Sequence, residues 1–158
     1  LTGTLPHLVR RFIGTITAKP LTAPEQDRVA ALLAPGEAAL FWAQAPADRR
    51  HAYDTMARTE AVSDDSTVLA AALLHDVGKV AGSRNALARS LATVLDALGW
   101  PMPAAMRRYR DHGQIGAELL EATGASTLAV DFARRHPSAD PRGVDPRLWA
   151  VLLAADDE

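Results

Sequence analysis

The run Val68-Leu69-Ala70-Ala71-Ala72-Leu73-Leu74-His75-Asp76-Val77-Gly78-Lys79 contains seven apolar residues followed at once by two side chains that bind metals. Alanine and leucine dominate the run, so it reads as helix rather than strand. No polar residue interrupts it, which marks a helix buried on all sides. Gly78 is the expected stop, where a left-handed backbone costs little. Adjacent helical side chains point in different directions, so His75 and Asp76 can converge on one ion only near a helix end. A histidine and a carboxylate buried beside a core helix need a partner, and a divalent cation is a natural one.

Outward from this run, almost every segment reads as helix. Apolar residues at 5, 8, 9, 12, 13 and 16 share one face of a predicted helix over 5–16. Thr22 and Glu25 form a capping-box signature, with Pro24 in the first turn of a helix to about residue 33. Further helices are expected over 37–44, 46–61, 67–76, 87–98, 104–110, 114–122, 126–135 and 147–156. Ser63, Asp64 and Asp65 supply the turn and cap before the central run, Gly124 closes one helix, and Asp145-Pro146 starts the last. The expected fold is therefore all-α, a compact bundle of about eight to ten short helices. Residues 1–34 read as a helical extension packed on the core, and residues 35–158 as the main domain. Trp42, Trp100 and Trp149 are expected in the core.

Composition narrows the function classes. The chain has 158 residues, enough for one domain with a real core, and its net charge of -2 gives no reason to expect nucleic acid or an anionic membrane as partner. There is no cysteine, so any metal must be held by imidazole and carboxylate. No apolar run approaches membrane-spanning length and no signal-peptide pattern is present, so the expected location is cytoplasmic.

Five histidines occur, and four of them, with two aspartates, recur in order: His51, His75-Asp76, His112, His136, Asp156. Each interval is roughly one helix pair, so the chain can return to one centre each time. His7 falls outside this order and reads as an ordinary core or surface histidine. The order, with Arg50-His51, Leu73-Leu74-His75-Asp76-Val77-Gly78-Lys79, Asp111-His112-Gly113, Arg134-Arg135-His136 and Ala154-Ala155-Asp156, resembles the HD-domain (His-Asp) superfamily of metal-dependent phosphohydrolases. The resemblance covers about residues 51–156, and no counterpart is found for residues 1–33.

The resemblance implies two divalent metal ions, of iron, manganese, zinc, cobalt or nickel. One would be held by His51, His75, Asp76 and Asp156, and Asp76 would bridge to a second held by His112 and His136. A metal-bridging hydroxide would then attack the phosphorus of a nucleotide or another small phosphate ester. Asp76 and Lys79 are the expected catalytic residues, Lys79 as a phosphate contact. Arg50, Ser83, Arg84 and Arg142 are further candidates for substrate contact. Lys79 also reads as a cap on the helix before it. Asp54 reads equally as a surface residue or one that orients a ligand, and Asp111 as an orienting residue or a helix cap. The chain departs from the HD-GYP phosphodiesterases: Pro137 stands where they have a further histidine, and residues 137–146 contain no Gly-Tyr-Pro. Two other functions fit the same ligands: an HD-type di-iron oxygenase and a non-catalytic ligand-sensing module.

Overall fold

A computed structural model describes residues 19–81 and 112–157 of the chain. The helices expected over 5–16, 87–98 and 104–110, together with His7, Ser83, Arg84, Trp100 and Asp111, lie outside the described residues. The described residues form seven α-helices and one 3₁₀ helix, with no strand among them. In chain order these are α1 (Ala23–Leu32), α2 (Pro35–Ala43), α3 (Pro46–Glu60), α4 (Ser66–Leu74), the 3₁₀ helix Val77–Ala81, α5 (His112–Thr123), α6 (Thr127–Arg135) and α7 (Pro146–Asp157). The all-α expectation is met. No described helix is long and apolar enough to cross a membrane.

Local chemistry sets most of the boundaries. The Glu25 carboxylate reaches back to the Thr22 backbone N–H at 2.7 Å, and Glu37 does the same for Ala34 at 2.8 Å. Each satisfies one of the donors that a helix start leaves unpaired. Proline occupies the first turn of α1, α2 and α3, where its missing N–H costs nothing. Asp65 caps α4 by accepting from Thr67 N at 2.8 Å, and Ser126 caps α6 by accepting from Ala129 N at 3.2 Å. α5 stops at Gly124, whose φ of +74° lets Ala125 N reach back to the Leu120 carbonyl.

α4 is the axis of the core. Every residue from Val68 to Leu74 is buried, and α1, α2, α3, α6 and α7 all pack against it. Val29 of α1, Phe41 of α2, Met56 of α3, Leu120 of α5, Phe132 of α6 and Trp149 of α7 join the same apolar cluster. A fully buried leucine contributes about 1.5–3 kcal/mol, so the alanines and leucines of α4 anchor the end of the helix on which the polar cluster is built. Trp149 is buried in this core, whereas Trp42 is half-buried at its edge with its ring against Phe41.

One expectation at the end of α4 is corrected. The helix ends at Leu74, two residues earlier than expected, and Gly78 is not a left-handed stop. The chain tightens instead into the 3₁₀ helix, with Lys79 N bonded to the Asp76 carbonyl at 3.0 Å. Glycine is required at 78 for close approach. A Cβ there would lie 1.9 Å from the His112 carbonyl oxygen and 2.6 Å from Gly116 N. The 3₁₀ helix therefore rests directly on the backbone of α5.

Candidate metal centre

His75 and Asp76 occupy the turn between α4 and the 3₁₀ helix, and both are almost wholly buried. Four other elements bring side chains to them. From α3, His51 Nε2 lies 3.9 Å from Asp76 Oδ2 and 2.9 Å from Asp156 Oδ1. From α7, Asp156 Oδ1 lies 3.1 Å from His75 Nε2. His112 opens α5 and His136 follows α6, and the Nε2 of each is 3.4 Å from Asp76 Oδ1. Asp76 thus offers Oδ2 to His51 and His75 and Oδ1 to His112 and His136. All six residues expected to ligate are brought together.

Backbone bonds orient two of the imidazoles. His75 Nδ1 donates to the Ala72 carbonyl at 2.8 Å, and His136 Nδ1 donates to the Phe132 carbonyl at 3.0 Å. A carbonyl only accepts, so each Nδ1 carries the proton and each Nε2 is directed at the cluster. Both carbonyls lie in the last turn of their helix, and that of Phe132 also accepts from the His136 backbone N–H at 2.9 Å. Phe132 lies beneath both rings, 5.9 Å from His75 and 5.5 Å from His136 between centroids. Trp149 meets Phe132 edge-on at 5.2 Å and donates from Nε1 to the Ser138 carbonyl. Arg135 covers the outer face of Trp149, its guanidinium carbon 4.6 Å from the ring centroid.

The residues fit a divalent cation. His75 Nε2 and Asp76 Oδ1 are buried and have no hydrogen-bond partner among the described residues, a costly state for polar atoms. Three overlapping sets could each hold an ion: His51, His75 and Asp76; His75, His136 and Asp156; Asp76, His112 and His136. Within each set the ligand atoms lie within 4.8 Å of one another. Imidazole nitrogen mixed with carboxylate oxygen suits borderline transition metals.

The local field is strongly coupled. Burial of the His75 ring disfavours its charged form, but the Asp76 charge and the contacts with Asp156 outweigh it and raise the pKa to about 10. Burial would also raise Asp76, yet the charges of Lys79 and His75 hold it well below the usual carboxylate range. Asp156 is depressed in the same way, its burial overcome by the His51 hydrogen bond and the close approach of the His75 ring. These carboxylates stay ionised and attract either a proton on His75 or a metal ion.

The remaining predicted residues are distributed unevenly. Lys79 is buried with its ammonium paired to Asp76 Oδ2. Arg50 is committed elsewhere: it forks onto Glu25 at 2.9 and 2.7 Å, meets Asp54 at 3.2 Å and donates to the Lys19 and Pro20 carbonyls. Asp54 is accordingly a partly exposed partner of Arg50. Arg142 sits on the exposed loop before α7, paired with Asp140. Neither Arg50 nor Arg142 touches the His/Asp cluster among the described residues. Sequence reasoning passed over Arg58, whose Nε donates to the Ala155 carbonyl at 2.7 Å, beside Asp156. The available signal was its place on α3, seven residues from His51 and so on the same helical face.

The family model described as "HD domain" matches residues 49–154, about two thirds of the chain. The match includes five of the six clustered residues and stops two short of Asp156. No curated protein and no solved structure matches the chain.

Proposed function

Since this chain belongs to the HD-domain family of metal-dependent phosphohydrolases, we propose that it hydrolyses a nucleotide or another small phosphate ester at a dinuclear metal centre. The observation that carries the reading is the division of Asp76 between two sets of imidazoles, Oδ2 toward His51 and His75 and Oδ1 toward His112 and His136. His51, His75, Asp76 and Asp156 would hold one ion, and Asp76, His112 and His136 the other. When bound, such ions activate water and neutralise charge on phosphoryl oxygens.

The protein groups have separate tasks. The Nδ1–H bonds of His75 and His136 to helix carbonyls hold each ring with Nε2 forward, so little reorganisation is needed on loading. Lys79 supplies a fixed positive charge beside Asp76, suited to a phosphoryl oxygen at the edge of the centre. Phe132 and Trp149 form an apolar support that keeps the two histidines from shifting.

The test is elemental analysis of protein purified without chelator and with oxygen excluded, followed by phosphate release from a panel of nucleotides and simple phosphate esters. Two ions per chain and phosphate release that stops with chelator are expected. A stable single ion would return His112 and His136 to substrate or orienting roles. An iron pair with oxygen uptake and no phosphate release would mark the oxygenase chemistry instead.

A further inference from the structure

α3 grips the last turn of α7 at two points. His51 Nε2 contacts Asp156 Oδ1 at 2.9 Å, and Arg58 Nε donates to the Ala155 carbonyl at 2.7 Å. These are the two side-chain hydrogen bonds between α3 and α7 among the described residues. The final carbonyls of a helix have no donor within it, and the C-terminal end carries a partial negative charge. A guanidinium at the Ala155 carbonyl answers both, as a charge-assisted donor. Arg58 is itself braced, with Nη2 3.4 Å from Thr55 Oγ1, while the Thr59 hydroxyl bonds to the Thr55 carbonyl at 2.9 Å. Thr55 and Thr59 are wholly buried, so Arg58 projects from a fixed base.

We infer that Arg58 is a positioning residue for Asp156. By fixing the carbonyl one residue before Asp156, it sets the turn that keeps Oδ1 within 2.9 Å of His51 and 3.1 Å of His75. The inference rests on the reading of this cluster as a metal centre. Arg58 has no hydrogen bond or ion pair with a side chain of the cluster among the described residues, so its influence passes through the α7 backbone. It should act on the half of the centre built by His51, His75 and Asp156. The half built by His112 and His136 should be spared.

The experiment uses the full chain and Co²⁺, whose visible absorption reports its ligand geometry. Arg58→Gln and Arg58→Lys are compared with Arg28→Gln, which removes a different contact to α3, the Arg28–Glu60 pair, and touches no residue of the cluster. Free Co²⁺ is buffered across a wide range and occupancy is read from the spectrum. Wild type and Arg28→Gln should titrate alike. Arg58→Gln should need roughly 10–100-fold more free Co²⁺ to half-fill one site, with an altered spectrum for that site alone. Arg58→Lys should fall between them, because an ammonium reaches the carbonyl without the fixed fork of a guanidinium. A helical Arg58→Gln protein with the wild-type titration and spectrum would overturn the inference. If Arg58→Gln loses its helical signal, Arg58→Lys decides by the same comparison, and a wild-type curve overturns it. Absence of Co²⁺ binding by wild type would overturn the metal-centre reading as well, whereas normal wild-type binding with unaffected variants removes only the role of Arg58.

Discussion

Gly78 lies against the backbone of His112, so close that a Cβ at residue 78 would sit 1.9 Å from the His112 carbonyl oxygen. At Gly78 the turn that carries Asp76 and Lys79 thus meets the helix that carries His112 main chain to main chain. Gly78→Ala must push the two apart, and no flexible side chain is available to give way. A loss of more than about 3 kcal/mol is expected in denaturant unfolding, together with weaker metal retention on the His112 side. Wild-type stability for this variant would contradict the packing described.

Asp76→Ala should abolish hydrolysis, with at least a roughly 10²–10³-fold loss, and release at least one ion per chain. It removes the carboxylate shared by both halves of the cluster and breaks the buried pair with Lys79. Breaking a buried pair of this kind costs about 3–5 kcal/mol, so Asp76→Asn, which conserves volume, is the companion variant. Elemental analysis decides: if Asp76→Asn keeps both ions, Asp76 does not bridge them.

Metal binding should compete with protons at His75. In chelator-treated protein the ring holds a proton with its pKa raised to about 10 from an ordinary 6.5. The folded-state value is the higher one, so the stability from this proton is fully present below pH 6.5 and is lost as pH rises toward about 10. The melting temperature of the chelator-treated chain should fall across that window. An ion on Nε2 must displace the proton, so apparent metal affinity should rise with pH. Calorimetric titrations at pH 7 in buffers of different ionisation heat should differ; identical heats would mean that no proton is released.

Glu25 and Arg50 tie α1 to α3 through a forked pair, and the Arg50 bonds, followed by the Thr22 backbone N–H, hold the Glu25 carboxyl down to about 2. Its folded-state value is the lower one, so its contribution is present above about pH 4.5 and is lost as pH falls toward 2. Glu25→Gln should cost roughly 1–3 kcal/mol at neutral pH. Stability measured from pH 5 down to 2 should also be flatter in the variant than in wild type. Parallel acid profiles would show that the pair contributes nothing.

The features legible in the sequence are those with local signatures. Asp65 and Ser126 announce helix starts, Gly124 a helix end, and Val68 to Leu74 a helix apolar on every side, because caps and periodicity act within a few residues. The six clustered residues were legible through their order, which reflects repeated returns of the chain to one point. Gly78 was misread because its neighbour is His112, far away in sequence, and a glycine needed for close approach looks identical to one that ends a helix. Arg50 reads as a candidate substrate contact because it stands beside His51, whereas its pairing with Glu25, which comes from another helix, has no local signature. Arg58 carried no motif at all. Its role is defined by one carbonyl 97 residues away.

The contact between His51 and Asp156 joins residues 105 positions apart. Closing a loop of that length costs about 4 kcal/mol of chain entropy beyond a constant term, so no short fragment of the unfolded chain can offer this pair to an ion. Loading is then selective for the native state. Each tenfold rise in free ion above its dissociation constant adds about 1.4 kcal/mol to the folded side of the balance. Resistance to proteolysis should therefore track free metal concentration, giving a measure of binding that requires no knowledge of the substrate.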